Sequence, residues 1–295
     1  MEVSIIIRAY NEAEEIGRCL EAMLDQDFDF PFEIVVVYNT DTTDNTLEIV
    51  EALNVKVVKK GNYNPGGNIN FGIRNSDGKY LVITSAHCFP VDRNWLRSLH
   101  KNFSDPKVAA VFGRHVLPDC AGPSIKREMA KVFGTERRVS YDNPFISNVN
   151  CMIRRDIWEE HPYDESPGNV VEDVCWAITV QKLGYCIVYE PEAAMVHYHN
   201  EKPARHYRRS RTEGYGMMYT GLVACPFRAL LSGLARDIIA DTIFFLRNPR
   251  HILRLPFVPI LRALRNFGLY AGMRRFQRDG RKPLFEHSDK KLWRH

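Results

Sequence analysis

The chain has 295 residues, 45% of them hydrophobic and 26% charged, the balance of a folded globular protein with room for one large α/β domain and an appendage. Its seven cysteines are odd in number and scattered, with no C-x-x-C pair, which excludes a disulfide framework or a cysteine-based zinc site and predicts buried or incidental thiols in a reducing compartment. The net charge of +4 hides a split: 21 Lys and Arg against 30 Asp and Glu up to Ala204, then 19 against 6 from Arg205 onward.

In chain order, Val3 to Arg8 is a short apolar run that ends at Ala9-Tyr10-Asn11-Glu12. The opening has no basic n-region and too short an apolar stretch for a signal peptide, so the cytoplasm is the expected address. Asn11 is placed to cap a helix carrying Ile16, Cys19, Leu20, Met23 and Leu24, with Glu12, Glu14 and Glu15 in its first turn. Glu33 to Val37 reads as a second strand, followed by the polar loop Tyr38 to Asp44 and a helix with Leu47, Ile49, Val50 and Leu53. Val55 to Val58 is a third strand. Asn64-Pro65-Gly66-Gly67 reads as a turn before a short helix at Ile69 to Arg74, and Lys79 to Thr84 is a fourth strand. Cys186 to Glu190 and Ala193 to His199 read as two further strands, while Arg114 to Tyr141 reads as loop-rich.

Strands alternating with helices predict an α/β fold with a mostly parallel central sheet, whose ligands bind at the carboxyl ends of the strands. Three such ends carry polar clusters: Tyr10-Asn11-Glu12, Asn39-Thr40-Asp41 and Ser85-Ala86-His87-Cys88. A single site shared by all three is the expectation. No G-x-G-x-x-G follows the first strand and no Walker A motif occurs, which argues against nicotinamide dinucleotides and ATP hydrolysis.

Beyond Arg205 the pattern changes. Phe227, Leu230, Leu231, Leu234, Ile238 and Phe245 form an apolar stripe broken by charges, and Ile252 to Leu269 mixes apolar residues with Arg254, Arg262, Arg265, Pro256 and Pro259. Neither stretch approaches the roughly 18 apolar residues of a spanning helix. Both fit amphipathic helices in a membrane interface, with arginines toward lipid phosphates; packing against the rest of the chain is the alternative.

Val3-Ser4-Ile5-Ile6-Ile7-Arg8-Ala9-Tyr10-Asn11-Glu12 resembles the opening of family 2 inverting glycosyltransferases of the GT-A fold, a Rossmann-like architecture. Phe112-Gly113-Arg114, Ser147 to Arg155 and Glu172-Asp173 fall in that family's order, and His197-Tyr198-His199-Asn200 followed by Tyr207-Arg208-Arg209 resembles its bacterial rhamnosyltransferase-like branch. The similarity runs from about Val3 to Gly214. It implies a catalytic domain over residues 1–214; the charge and apolar patterning beyond it are read as a basic amphipathic helical tail over 215–295, peripheral on the cytoplasmic face of the membrane. It implies transfer of a hexose or deoxyhexose from a nucleoside-diphosphate sugar to a surface-glycan or lipid-linked acceptor. Asp173 is then the general base, and Glu172 its neighbour at the acceptor.

Adjacent carboxylates at the head of a helical run, Val174 to Leu183, also make chemical sense, because two together raise one pKa toward working pH; acidic helix caps are the bland reading. On the donor side stand Ala9, Tyr10, Asn11, Glu12, Asn39, Asn68, Ser85 and His87, with Arg208 and Arg211 as phosphate clamps or as part of a solvated basic face. On the acceptor side stand Arg114, Asn150 and Trp176, the last also readable as core.

The chain departs from the family at two places. Ser85-Ala86-His87 replaces the usual Asp-x-Asp, and Asn39 replaces the usual Asp. Polypeptide N-acetylgalactosaminyltransferases have a similar Asp-x-His, completed by a later histidine. His87, His197 and His199 with a diphosphate form a candidate divalent-cation site favouring Mn²⁺ over the oxygen-preferring Mg²⁺. The alternative is that His87 meets the diphosphate directly. A catalytically silent nucleotide-sugar or glycan binding module of the same fold is the competing function. Nucleic-acid binding lacks any recognisable module.

Overall fold

The computed structural model describes residues 1–118, 121–166, 171–197, 203–225 and 227–285. They form two compact units, one built from Met1–Val116 with 133–197, the other from Leu117–Val132 with the helices from Pro203 onward.

The first unit is organised by a single mixed sheet. Its strands are β1 (Val3–Ala9), β2 (Phe32–Asn39), β3 (Lys56–Lys60), β4 (Tyr80–Ser85), β5 (Phe89–Pro90), β6 (Val108–Val116), β7 (Arg138–Ser140), β8 (Asn150–Arg154) and β9 (Cys186–Val196). The order is β3-β2-β1-β4-β8-β6-β9-β5, with β7 on β9. From β3 to β4 all neighbours are parallel; β8 then runs antiparallel between β4 and β6, and β6 pairs parallel with β9. β1 reads as a continuous apolar run because both of its faces are covered, and Ile5, Ile6 and Ile7 are fully buried. β3, at the edge, carries Lys56, Lys59 and Lys60, which discourages pairing with another chain.

The crossovers are α1 (Ile16–Leu24), α2 (Thr46–Ala52) and α3 (Pro65–Arg74), with α4 (Trp95–His100), α5 (Pro123–Val132), α6 (Arg155–Glu160) and α7 (Glu172–Lys182) further along. The chain moves outward from β1 to β2 to β3 and then returns through α3 to β4 on the other side of β1. That reversal falls between β1 and β4, and in open α/β sheets ligands bind outside the carboxyl ends of the strands at such a point.

Several expectations need correction. Asn11 does not cap α1, and no acidic residue lies in that helix's first turn. Instead Asn11, with φ of 53°, accepts the Thr43 N–H at 2.8 Å and so ties the loop after β1 to the loop after β2. The turn at Asn64 to Gly67 is the start of α3 itself: Asn64 accepts the Gly67 N–H at 2.7 Å, and Pro65 occupies the first turn, where its missing N–H costs nothing. The expected strand Ala193 to His199 is the end of one long strand, which stops at Val196. The stretch Arg114 to Tyr141 contains the end of β6, all of α5 and β7. The β6 end and β7 escape a reading by periodicity because they are held by sheet partners rather than by their own pattern.

The second unit holds α8 (Pro203–Tyr219), α9 (Phe227–Arg247), a 3₁₀ segment (Pro249–Phe257) and α10 (Val258–Arg278) beside α5. Glycines let α8 and α10 approach closely: a Cβ on Gly214 would lie 2.1 Å from Leu269 O, and one on Gly272 1.9 Å from Arg211 O. Asp241, fully buried, takes Arg127 and Arg262 at 2.6 Å each, and Arg262 also reaches Glu128, so α5, α9 and α10 share one ion network. Removing one member of such a network strands buried charge. No helix among the described residues is long and apolar enough to cross a membrane.

Gly113 is the tightest point of the first unit, since a Cβ there would meet Ala193 O at 1.9 Å and Asn150 Nδ2 at 2.4 Å. Gly113→Ala should therefore push β6 from β9 and lower unfolding free energy by about 1–3 kcal/mol in urea denaturation. Gly134→Ala, where a Cβ meets nothing within 4 Å, should change stability little.

Candidate active site

The strand order gathers the site. β1, β2, β4, β6 and β9 run in one direction, and their carboxyl ends bring Ala9, Asn39, Ser85, His115 and His197 to one edge of the sheet. β8 runs oppositely and starts at that edge, so the loop before it, with Asn148, arrives there as well.

Arg8 is the only charge within β1, and its terminal nitrogens are met by directed partners while its buried Nε has no hydrogen bond. Its Nη2 donates to Ser85 Oγ at 3.3 Å and to Asn148 O at 3.2 Å, and its Nη1 lies 4.0 Å from Glu172 Oε1. Burial by itself disfavours the guanidinium charge, but Tyr63, Glu172 and Asp173 outweigh it and hold Arg8 above its ordinary range. Asn148, also buried, donates to Glu172 Oε1 at 3.2 Å and accepts from the Tyr163 hydroxyl at 3.0 Å. Arg8, Asn148 and Tyr163 were not among the residues singled out above. Arg8 had one signal, a charge closing an apolar strand; Tyr163 had none, because its partner is 15 residues away in sequence.

Glu172 and Asp173 occupy the first turn of α7, as their spacing predicts. Glu172 is buried, while Asp173 keeps some exposure. Burial, followed by the charge of Glu172, pushes the Asp173 carboxyl up to about 7; the N–H groups of Val174 and Asn148 and the Arg8 guanidinium pull in the opposite direction. A partly exposed carboxyl poised near neutrality is suited to proton transfer.

On the other flank, His87 Nδ1 lies 2.8 Å from Glu12 Oε1. The His87 and His197 rings stack at 5.3 Å, and His115 meets His197 edge-on at 5.4 Å while stacking on Phe133 at 4.3 Å. Burial pushes the His115 imidazole down to about 4, so it is neutral at physiological pH. Ligand atoms of His87, Cys88 and His197 lie within 4.8 Å of one another, a set that can hold a metal ion. Cys88 thus joins a cluster that the scattered cysteines gave no reason to expect. His199 lies outside the described residues, and so does Cys120.

The remaining residues divide clearly. Tyr10 is 49% exposed at the rim. Asn39 is buried and its Oδ1 accepts the Asp41 N–H at 2.9 Å, shaping the loop after β2. Asn68 is buried within α3, its Oδ1 accepting the Asn64 N–H at 3.4 Å. Asn150 is fully buried and serves the scaffold: it accepts from Trp95 Nε1 at 2.8 Å and donates to Arg114 O at 3.3 Å and Ala193 O at 2.9 Å. Trp176 is buried too, donating to His161 O at 2.8 Å, with Tyr163 5.8 Å away ring to ring. Arg114 sits on β6, half-buried. Arg208 and Arg211 are exposed on α8 in the second unit.

Comparison with known proteins agrees with this architecture. The O-antigen chain rhamnosyltransferase RfbN of Salmonella typhimurium is 24% identical over 222 residues, spanning 71% of this chain and 70% of that protein. The O-antigen chain rhamnosyltransferase WbaN of Salmonella anatum is 25% identical over 191 residues, 61% of this chain and 60% of that one. Among solved structures, the mannosyltransferase PcManGT of Pyrobaculum calidifontis, in complex with GDP-Man and Mn²⁺, shares the fold with a TM-score of 0.65. It is 19% identical, and the alignment covers 95% of this chain and 88% of that one. The model of Glycosyl transferase family 2 matches residues 4–161, more than half of the chain, from β1 through α6. A GT-A sheet with polar side chains at the β1 and β4 ends, and that match over residues 4–161, make this enzyme a member of glycosyl transferase family 2.

Proposed function

We propose that this transferase moves a hexose or deoxyhexose from a nucleoside-diphosphate sugar, with inversion, onto a hydroxyl of a surface-glycan or lipid-linked acceptor. Asp173 acts as the general base. The observation that carries the reading is the Asp173 carboxyl, partly exposed at the head of α7 and pushed up to about 7 by burial and by Glu172. In the step proposed, Asp173 takes the proton of the acceptor hydroxyl as its oxygen bonds to the anomeric carbon, and the bond from that carbon to the diphosphate breaks on the opposite side. The Val174 and Asn148 N–H groups hold the base in place, Glu172 and Arg8 set the charge around it, and the rim formed by Ala9, Tyr10, Glu12, Asn39 and Ser85 takes the nucleotide end of the donor. Two relatives named for O-antigen chains and a structural neighbour that holds GDP-Man support the donor and acceptor classes.

His87, Cys88 and His197 fit a divalent cation. A histidine whose Nδ1 faces a carboxylate presents Nε2 as ligand, which is the arrangement of His87 on Glu12. Nitrogen donors favour Mn²⁺ over Mg²⁺. Bound there, a cation supplies neutralising charge to the leaving diphosphate. Peripheral contact with the cytoplasmic face of the membrane, through the basic region 215–295, completes the reading.

Asp173→Asn should lower turnover on the order of 10³-fold while leaving nucleotide affinity unchanged by calorimetry. In the parent enzyme kcat/KM should rise with pH through about 7 as Asp173 loses its proton. Arg8 pulls that value down, so Arg8→Met should move the rising limb to higher pH. A pH-independent rate, or an Asp173→Asn variant as fast as the parent, rejects Asp173 as the base.

The same carboxyl makes a stability prediction. A folded-state value above the ordinary one stabilises the fold at acid pH, and that contribution fades as pH rises through the folded value. The melting temperature of Asp173→Asn relative to the parent should accordingly climb between about pH 4 and pH 8.

Calorimetry with UDP, GDP, dTDP and CDP, each with Mn²⁺, Mg²⁺ or EDTA, tests the donor site. One nucleotide should bind selectively, more tightly with Mn²⁺, and His87→Ala should abolish the metal dependence. Binding indifferent to EDTA removes the metal and keeps the donor site. Nucleotide binding without turnover on any sugar favours the silent binding module.

A further inference from the structure

The second unit leaves large apolar side chains in solvent on the segment joining α9 to α10. Leu253 is 87% exposed, Phe257 60%, Ile260 58% and, at the end of α9, Leu246 61%. They do not form a closed surface. Phe257, Ile260 and Leu261 line a groove of about 480 Å³ whose other walls include Phe245 and the start of α5, with Arg254 as the charged residue along it.

The charges of the unit are as lopsided as its apolar surface. Every carboxylate among its described residues already faces an arginine. Asp241 takes Arg127 and Arg262, and Glu128 takes Arg262. Glu213 lies 3.6 Å from Arg265, Asp237 4.0 Å from Arg236 and Asp279 3.8 Å from Arg275. Arg228, Arg247, Arg254 and Arg278 are exposed and have no ion-pair partner among the described residues. Among the described residues, the excess positive charge of the C-terminal region is therefore carried outward and not neutralised within the unit.

We propose that this face of the second unit docks on an anionic phospholipid bilayer. Leu253, Phe257 and Ile260 enter the acyl boundary, the groove takes a hydrocarbon chain, and Arg254 and Arg247 meet phosphates. The chemistry selects this occupant. Apolar side chains interleaved with guanidiniums match the interface, where an arginine stem lies along hydrocarbon while its head stays at the phosphate level. A second copy would place the same arginines opposite one another in a two-fold contact, which like charges oppose. Nucleic acid would engage the guanidiniums but leave the aliphatic residues in water. The inference rests on the reading above of an acceptor carried by lipid, and it names the surface and headgroup chemistry of that encounter.

Flotation of the full chain with phosphatidylcholine–phosphatidylglycerol vesicles, against phosphatidylcholine alone, tests it. The chain should float with the anionic vesicles and be released by salt. Arg254→Gln should weaken partitioning about five-fold. Leu253→Ser with Phe257→Ser should weaken it about ten-fold or more. All three residues are exposed, and nucleotide calorimetry on the same preparations verifies that the first unit stays folded. No flotation, or equal flotation of parent and variants, overturns the proposal. So does an oligomer of the parent that the double variant dissolves while vesicle binding is absent. Nucleotide binding without flotation sinks the membrane face alone; flotation without nucleotide binding sinks the donor-site reading alone.

Discussion

A guanidinium buried at the end of the central strand governs how the polar edge of the sheet is assembled. Arg8 closes an otherwise apolar β1, and its charge is tolerated there only because Ser85, the Asn148 carbonyl and Glu172 surround it. These partners come from β4, the loop before β8 and the head of α7. One side chain thus ties three elements to β1 at the place where the strand order reverses. Loss of any partner leaves charge in low dielectric, so the edge is rigid for the same reason that it is polar.

The two flanks of that edge have different chemistry. On the α7 flank, burial and a like charge raise Asp173, while two N–H groups and Arg8 restrain the rise. The result is a carboxyl near neutrality, a value that neither the sequence neighbour nor the burial alone would set. On the β9 flank, His87, Cys88 and His197 converge. Nitrogen and sulfur donors change which cations fit, and the Glu12 carboxylate on His87 Nδ1 fixes which ring nitrogen is offered.

The second unit solves a separate problem. Its helices carry too many arginines to be neutral and too many exposed aliphatic groups to be an ordinary wet surface. Glycines at 214, 268 and 272 permit close backbone approach between α8 and α10, and the Asp241 network joins α9 and α10 to α5. Internal acids are neutralised by internal arginines, which leaves the outward arginines and the apolar groove as the unit's chemical character.

Much of this was legible in the residues. The apolar runs at β1, β2 and β4, the polar clusters that follow them and the paired carboxylates before α7 each declare themselves within a few residues, because strand periodicity and helix starts are local properties. Composition likewise declared the basic C-terminal region. Other features depend on register. β8 was invisible because a five-residue strand is defined by its neighbours, and Asn11 was misread as a cap because its true partner, Thr43, lies across two strands. Asn150 looked like an acceptor residue until Trp95, Arg114 and Ala193 were seen to use its amide. By itself, then, the sequence determined the family, the fold class, the acidic pair and the charge asymmetry, all carried by residues close together in the chain. Only the tertiary structure decided that Arg8, Asn148 and Tyr163 support the acidic pair, that Cys88 joins the histidines, and that Arg228, Arg247, Arg254 and Arg278 have no ion-pair partner among the described residues. Hydrogen bonds and charge pairs form between neighbours in space, and the sheet order alone makes those residues neighbours.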